Sequence, residues 1–339
     1  MKLRKVTISV LAVLGLSVST LTAVAADEPT IDNPGGIPAL TSPDGIPAQG
    51  DGPDRHTAIG AQTLANQKPG LNPLGANNFS CKPKPGQNPI ILIPGTSGTA
   101  YGTWAFMAPH LTQAGFCVYS FNYNVAMNPR REAMAFTGDI RQSAAFLAGF
   151  VDRVRAATGA EKVDLIGHSQ GGGVLPRAYI KWFGGESKVA HLIGLSPSNN
   201  GTSMMGMKNL IYSLLNRYPQ LETNLLNSAN QQALLQQLDG SKFLAELNAG
   251  GLTKPGIKYT VISTKLDTVI TPYTKTFINE AGVSNKTIQD FCPAAAANHG
   301  NITYSPVAFQ LVLAALNADT LRQIRCLWIP PYLKAQDIR

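Results

Sequence analysis

Residues 162–173 read KVDLIGHSQGGG, and this stretch limits the possible folds more than any other in the chain. An apolar run with strand character ends in Gly167-His168-Ser169-Gln170-Gly171 and opens directly onto GGGVLPRAYIKWF, which is long enough for a helix. A strand that turns abruptly into a helix forces its central residue into a strained conformation, and side chains at the flanking positions would collide with the neighbouring elements. The glycines are therefore required for space, and the hydroxyl of Ser169 is held out of the carboxyl edge of a sheet. A glycine-rich phosphate loop is the rival reading, but the spacing fits neither G-x-G-x-x-G nor G-x-x-x-x-G-K-[ST]. In this strand-to-helix setting G-x-S-x-G predicts a nucleophilic serine.

The surrounding chain supplies the sheet. From Cys81 onward, PIILIP, CVYSFNY, KVDLIG, VAHLIGLS and IKYTVIST alternate with the helical patterns TWAFMAPHLTQAG, DIRQSAAFLAGFVDRVRAATG and GGGVLPRAYIKWF. Such alternation predicts βαβ units, an α/β fold with a mostly parallel central sheet flanked by helices. One block breaks the pattern. After SPSNNGTSMMG, leucines such as Leu210, Leu214, Leu221 and Leu225 recur at helical spacing without an intervening strand, so residues at about 200–250 form a helical insertion. It is either cover for the sheet or a cap over a site. Residues 27–80, rich in Pro, Gly, Asn and Asp, are expected to form an extended or disordered arm, and 81–339 the main domain.

A serine hydroxyl attacks only when a base takes its proton, and the base must be oriented by a carboxylate. Five histidines are available. His56 lies in the arm, His168 is the serine's neighbour in the turn, His110 precedes it in a helical pattern, and His191 starts a strand at the wrong end of the sheet. His299, in the small-residue loop AAAANHGNITYS before the last helical pattern, is the candidate base. With the chain order serine, acid, histidine, the acid falls between them at a strand end, and Asp267 follows KYTVIST directly. The bland alternative is a loop aspartate capping a short helix. Two backbone amides are needed for the oxyanion, those of Gln170 and of Thr96 in the Pro-Gly-Thr turn after the first core strand, with the Thr96 hydroxyl as a possible third donor.

Other features bound the setting. The opening MKLRKVTISVLAVLGLSVSTLTAVAADEPT has a basic start, an apolar middle and an Ala-x-Ala end, so residues 1–26 are expected to be an export signal, with an uncleaved anchor as the rival. No later segment approaches membrane-spanning length. The formal charge of +8 drops when Lys2, Arg4 and Lys5 leave with the signal, and without basic clusters no nucleic-acid partner is expected. Four cysteines allow three connectivities, of which Cys81–Cys117 and Cys292–Cys326 are favoured because each pair flanks one local unit. Cys-x-x-Cys spacing is absent, and neither a metal nor a cofactor is expected. Met204, Met205 and Met207 could line an acyl channel, since soft unbranched side chains adapt to alkyl chains, or could be plain core.

Together IPGTSGTAYGTW, KVDLIGHSQGG, LPRAYIKWFGG, SPSNNGTS, TKLDTVITPY and NHGNITYSPVAFQLVLAALN resemble the secreted class 2 lipases and esterases of actinobacteria, in the α/β-hydrolase superfamily, over about residues 76–320. The turn, the elbow and the cysteine placement are also similar to fungal lipase B enzymes. The resemblance implies carboxylic ester hydrolysis with Ser169, Asp267 and His299 as a triad and triacylglycerol as substrate. The alternatives are an esterase on soluble short-chain esters and a non-catalytic lipid- or surface-binding module on the same fold. Many lipases have His-Gly before the oxyanion residue where this chain has Pro94-Gly95, a change that leaves the Thr96 amide available.

Overall fold

The computed structural model describes residues 40–127, 132–203, 208–218, 220–221, 224, 231–316 and 324–326. The expected signal at 1–26 and the three methionines Met204, Met205 and Met207 lie outside them. The described residues all fall in one compact unit.

Six parallel strands make the central sheet: β1 (Ile90–Ile93), β2 (Val118–Ser120), β5 (Val163–His168), β6 (Val189–Leu195), β7 (Lys258–Ser263) and β8 (Val283–Thr287). A separate antiparallel pair is formed by β3 (Ala126–Met127) and β4 (Ala133–Met134). The sheet order is β2-β1-β5-β6-β7-β8, so the chain runs outward from β1 to β2, crosses back and builds the other half from β5. That reversal between β1 and β5 is a topological switch point, where open α/β sheets form a crevice at the carboxyl ends of their strands. The five runs read as strands are all present, and polar β8 (VSNKT) adds a sixth that apolar patterning could not show.

Because helices cover both faces, the inner strands are buried along nearly their whole length rather than at alternate positions, and β1 (IILI) is apolar throughout. Ile91, Ile93 and Leu165 pack with Leu147, Val151 and Leu175 on one side. Ile90, Leu92 and Ile166 pack with Trp104, Leu111 and Leu311 on the other. The longest helix, Ile140–Thr158, starts where the Asp139 carboxylate accepts from the Arg141 amide at 2.7 Å and ends at Gly159, whose φ of 77° suits a residue without Cβ.

The arm departs from its expected loose form. Helix Ala58–Gln67 buries Ala61 and Ala65, and Leu71 and Ala76 join the same core as Trp104. Tyr101 Oη donates to Pro53 O at 2.7 Å, fixing the segment before that helix. Small residues and turns hide this docking from a reading of periodicity. Within the insertion, residues 232–248 are cover for the sheet, since Ala233, Phe243, Leu244 and Leu247 belong to the main core. The upstream helix Lys208–Arg217 buries only Ile211 and Leu215 among its residues.

Cys81 and Cys117 are bridged across 36 residues, tying the approach to β1 to the start of β2; a loop of that size adds about 3–4 kcal/mol in the chain-entropy picture. The second expected bridge is not formed. Cys292 and Cys326 are free thiols that share a hydrogen bond, and Cys326 Sγ also donates to Phe291 O at 3.1 Å, so its sulfur is engaged with a carbonyl rather than bonded to its neighbour.

At the amino end of the sheet lies Asp164, buried with one hydrogen bond from Asn88 Nδ2 at 3.0 Å. Burial pushes its carboxyl up to about 6, against the opposing pull of Asn88 and Lys258. Above that pH the folded state carries a charge it disfavours relative to the unfolded chain; below the ordinary value near 3.8 both states are protonated and the penalty vanishes. Asp164→Asn keeps the oxygen that Asn88 needs, so it should stabilise the protein by about 3 kcal/mol at pH 8. The gain should fade as pH drops through the carboxyl range, measured by urea unfolding across pH 4–8; a gain independent of pH would contradict the assignment.

Candidate active site

Ser169 stands at the end of β5 with φ of 54°, a left-handed conformation that is costly for a residue with a Cβ. The turn is built from backbone against backbone. A Cβ at Gly167 would overlap the carbonyl of Gly171, and one at Gly171 would overlap the carbonyls of Ile93 and Pro94. The glycines thus let the elbow close onto β1. Ser169 and Gln170 open a 3-10 turn, Ser169–Gly172, that leads into helix Val174–Trp182, and the first amides of such a turn have no partner inside it. Pro176 occupies the third position of that helix, so its missing N–H removes no interior hydrogen bond.

Asp267 and His299 meet. The imidazole Nδ1 lies 2.9 Å from Asp267 Oδ2, and Asp267 Oδ1 accepts from the amides of Val269 at 2.9 Å and Ile270 at 2.8 Å. Burial disfavours the charge on this carboxyl, but the hydrogen bond from His299, its charge and the two amides outweigh burial and hold the group below its ordinary range. An ionised Asp267 can only accept, so Nδ1 carries the shared proton, and in the neutral form of the ring Nε2 is the free base.

The elbow is tied to the histidine loop by His168, whose Nε2 donates to the backbone carbonyl of His299 at 2.8 Å. Burial and the neighbouring imidazole push the His168 ring down to about 3, so it is neutral, and a carbonyl partner puts its proton on Nε2. The rings of His168 and His299 lie 4.9 Å apart between centroids. Among the described residues no hydrogen bond joins Ser169 Oγ to His299, and such contacts commonly tighten only when substrate arrives.

Thr96 follows β1 in the turn that faces the elbow: a Cβ on its neighbour Gly95 would lie 3.0 Å from Ser169 Cβ. Its amide has no backbone acceptor among the described residues. The Thr96 hydroxyl accepts from Gln170 Nε2 and from Gln237 Nε2, each at 2.8 Å. A serine on a strained turn, an aspartate-bound imidazole and a second turn packed beside that serine can together perform acyl transfer.

The family described as Lipase (class 2) matches residues 87–312, well over half of the sequence. The chain belongs to the class 2 lipase family. Its fold is that of the α/β-hydrolases. Lipase B of Aspergillus fumigatus superposes with a TM-score of 0.54 at 21% identity, over 79% of this chain and 58% of that one. The mature form of the Bacillus licheniformis lipase BlEst2 superposes with a TM-score of 0.50 at 17% identity, over 69% of this chain and 94% of that one. The chain thus spans little more than half of the Aspergillus chain it matches.

Beside the Thr96 turn a cavity of about 340 Å³ opens, walled by Gln62, Asn66, Glu132, His168 and Thr303 as well as Thr96. Gln62 Nε2 donates to Asn66 Oδ1 at 2.8 Å, and Asn66 Nδ2 to Glu132 Oε1 at 3.2 Å. The docked arm helix therefore contributes a wall of the cleft, which its composition did not reveal. Sequence reasoning also missed Gln289. Its Nε2 donates to Thr264 Oγ1 at 2.9 Å and Ala295 O at 3.0 Å, while its Oε1 accepts from the Lys265 amide at 2.9 Å. It clamps the acid loop to the histidine loop, a role visible only once β7 and β8 are adjacent. Among the described residues no three His, Cys, Asp or Glu side chains gather as a metal site.

Gly171→Ala should be severely destabilising, by more than about 4 kcal/mol, because its Cβ meets fixed backbone of β1 rather than a side chain that can turn away. Thermal unfolding and the soluble fraction measure this; a variant with native melting behaviour would contradict the packing described.

Proposed function

We propose that this class 2 lipase hydrolyses carboxylic esters through an acyl-enzyme on Ser169, with His299 as general base and acid and Asp267 as its orienting partner. The observation that carries the reading is the Asp267–His299 pair at 2.9 Å, joined through His168 to the elbow that presents Ser169. His299 Nε2 takes the proton of the Ser169 hydroxyl as Oγ bonds to the ester carbonyl carbon, and the amides of Thr96 and Gln170 receive the negative charge on the carbonyl oxygen. The imidazolium then protonates the departing alcohol as the C–O bond breaks. Water, deprotonated by the same nitrogen, attacks the acyl-enzyme and releases the acid.

We assign triacylglycerols as the favoured substrate class. The polar walls of the neighbouring cavity suit the glycerol end of a glyceride, and leucines of the insertion suit acyl chains. Met204, Met205 and Met207, proposed as acyl contacts from sequence, lie outside the described residues. An exported enzyme is the matching proposal, supported by the leader-like residues 1–26 and the Cys81–Cys117 bridge. Among the described residues no helix is long and apolar enough to cross a membrane.

Ser169→Ala and His299→Ala should each lower kcat on nitrophenyl butyrate by about 10⁴-fold or more, with folding retained. A silent wild type, tested on dissolved and emulsified esters, would favour the binding-module alternative instead. Rates over acyl chains of increasing length should rise when substrate passes from monomers to emulsion; a flat response would favour an esterase on soluble esters.

A further inference from the structure

The hydroxyl of Thr96 has an unusual set of partners. Gln170 Nε2 and Gln237 Nε2 both point at its oxygen, each at 2.8 Å. Neither amide can be turned over, because each also donates to a carbonyl, Gln170 Nε2 to Phe136 O and Gln237 Nε2 to Ala233 O, both at 2.9 Å. At Gln237 the opposite end is fixed too, since Ser198 Oγ donates to Oε1 at 2.8 Å. A threonine hydroxyl has two lone pairs and one hydrogen. With both lone pairs engaged by amide donors, the hydrogen can leave only in the remaining direction, away from both glutamines. The two glutamines are buried, whereas Thr96 is partly exposed to the cleft.

We propose that Gln237, together with the side chain of Gln170, is a positioning residue that locks the Thr96 hydroxyl as a donor to the oxyanion, so that the helical insertion supplies part of the transition-state machinery. The inference rests on the reading of Ser169 as an acyl-transfer nucleophile. It gives Gln237 a role although the residue touches no reacting atom. A hydroxyl free to rotate would offer a lone pair to the oxyanion in some orientations, and an amide donor on each lone pair removes those orientations. Stability alone does not explain the arrangement, because Gln170 Oε1 is buried without a partner, and an unpaired amide oxygen is costly. Gln237 is itself held firmly. The adjacent Gln236 accepts from the Ile140 amide at 2.8 Å and donates to Asp139 Oδ1 at 3.1 Å, fastening the end of helix Gln232–Gln236 to the start of the long helix.

The test is a double-mutant cycle on nitrophenyl butyrate, with kcat normalised to sites titrated by a phosphonate so that misfolded protein does not count. Thr96→Val, which keeps the amide and loses the hydroxyl, should lower kcat about 100-fold with KM little changed. Gln237→Ala should lower kcat roughly tenfold in the native background and have no further effect in the Thr96→Val background. Gln237→Glu, whose carboxylate would draw the hydroxyl proton toward itself, should lose more than Gln237→Ala. Equal losses from Gln237→Ala in both backgrounds, or a change in KM alone, would reduce Gln237 to a structural part and overturn the inference. Absence of turnover dependent on Ser169 in the unmodified protein would instead remove the catalytic reading beneath it.

Discussion

The contact on which everything else is arranged is the approach of bare backbone to bare backbone at the end of β5. Gly167 faces Gly171 across the elbow, and Gly172 faces Gly194 of β6, where an added Cβ would lie 3.0 Å from the Gly194 Cα. Register places Gly167 beside Ile93 of β1 and Gly194 of β6, so three strands meet the start of one helix with backbone close to backbone. That closeness forces Ser169 into its positive φ, a strain that persists because the neighbours on every side fix the turn. It also brings the loop after β1, which carries Thr96, and the segment after β6, which carries Ser198, to the same point. Ser198 confirms the meeting, since its amide donates to the carbonyl of Ser169 at 3.2 Å.

Around that point the protein uses buried hydrogen bonds to set positions rather than to add stability. A paired buried hydrogen bond contributes about 1 kcal/mol, but removing one partner costs more, so such networks penalise misplacement strongly. Thr264 shows the logic: its hydroxyl donates to Ala297 O at 2.6 Å and accepts from Gln289, so the strand end that leads to Asp267 and the loop that carries His299 cannot separate independently. His168 does the same between the elbow and the His299 carbonyl. The loops that carry Asp267 and His299 are thereby tied to each other and to the elbow.

The sequence was most readable where a single local pattern carries the constraint. The elbow, the five apolar strands and the Cys81–Cys117 pair all follow from residues close together or from spacing. His299 and Asp267 could be singled out by elimination and chain order, and the structure brings the two side chains together. Three features were illegible for a common reason. β8 is polar and short, the arm helix is built on small residues, and Gln237 is one glutamine in a run of many. Each acquires its meaning from a partner far along the chain, and no local period encodes such a pairing. Cys292 and Cys326 show the opposite error, where sequence spacing suggested a bond that the side-chain geometry does not make.

The insertion divides mechanically along the line that its packing draws. Swinging residues 232–248 away would expose Phe243, Leu244 and Leu247 and pull Gln237 from Thr96, at a cost of several kcal/mol for the apolar burial alone. The helix Lys208–Arg217 buries fewer apolar residues among those described, and its Tyr212 Oη donates to Asp239 O at 3.2 Å. Lys208 pairs with Asp239 at 3.0 Å, and that carboxylate is shared with Lys275 in a half-exposed cluster of the kind worth about 1 kcal/mol or less per pair. Ile211 and Leu215 provide its apolar grip, while Leu210 and Tyr218 face outward. The firmer grip therefore lies on residues 232–248, and the part that holds Thr96 stays with the sheet.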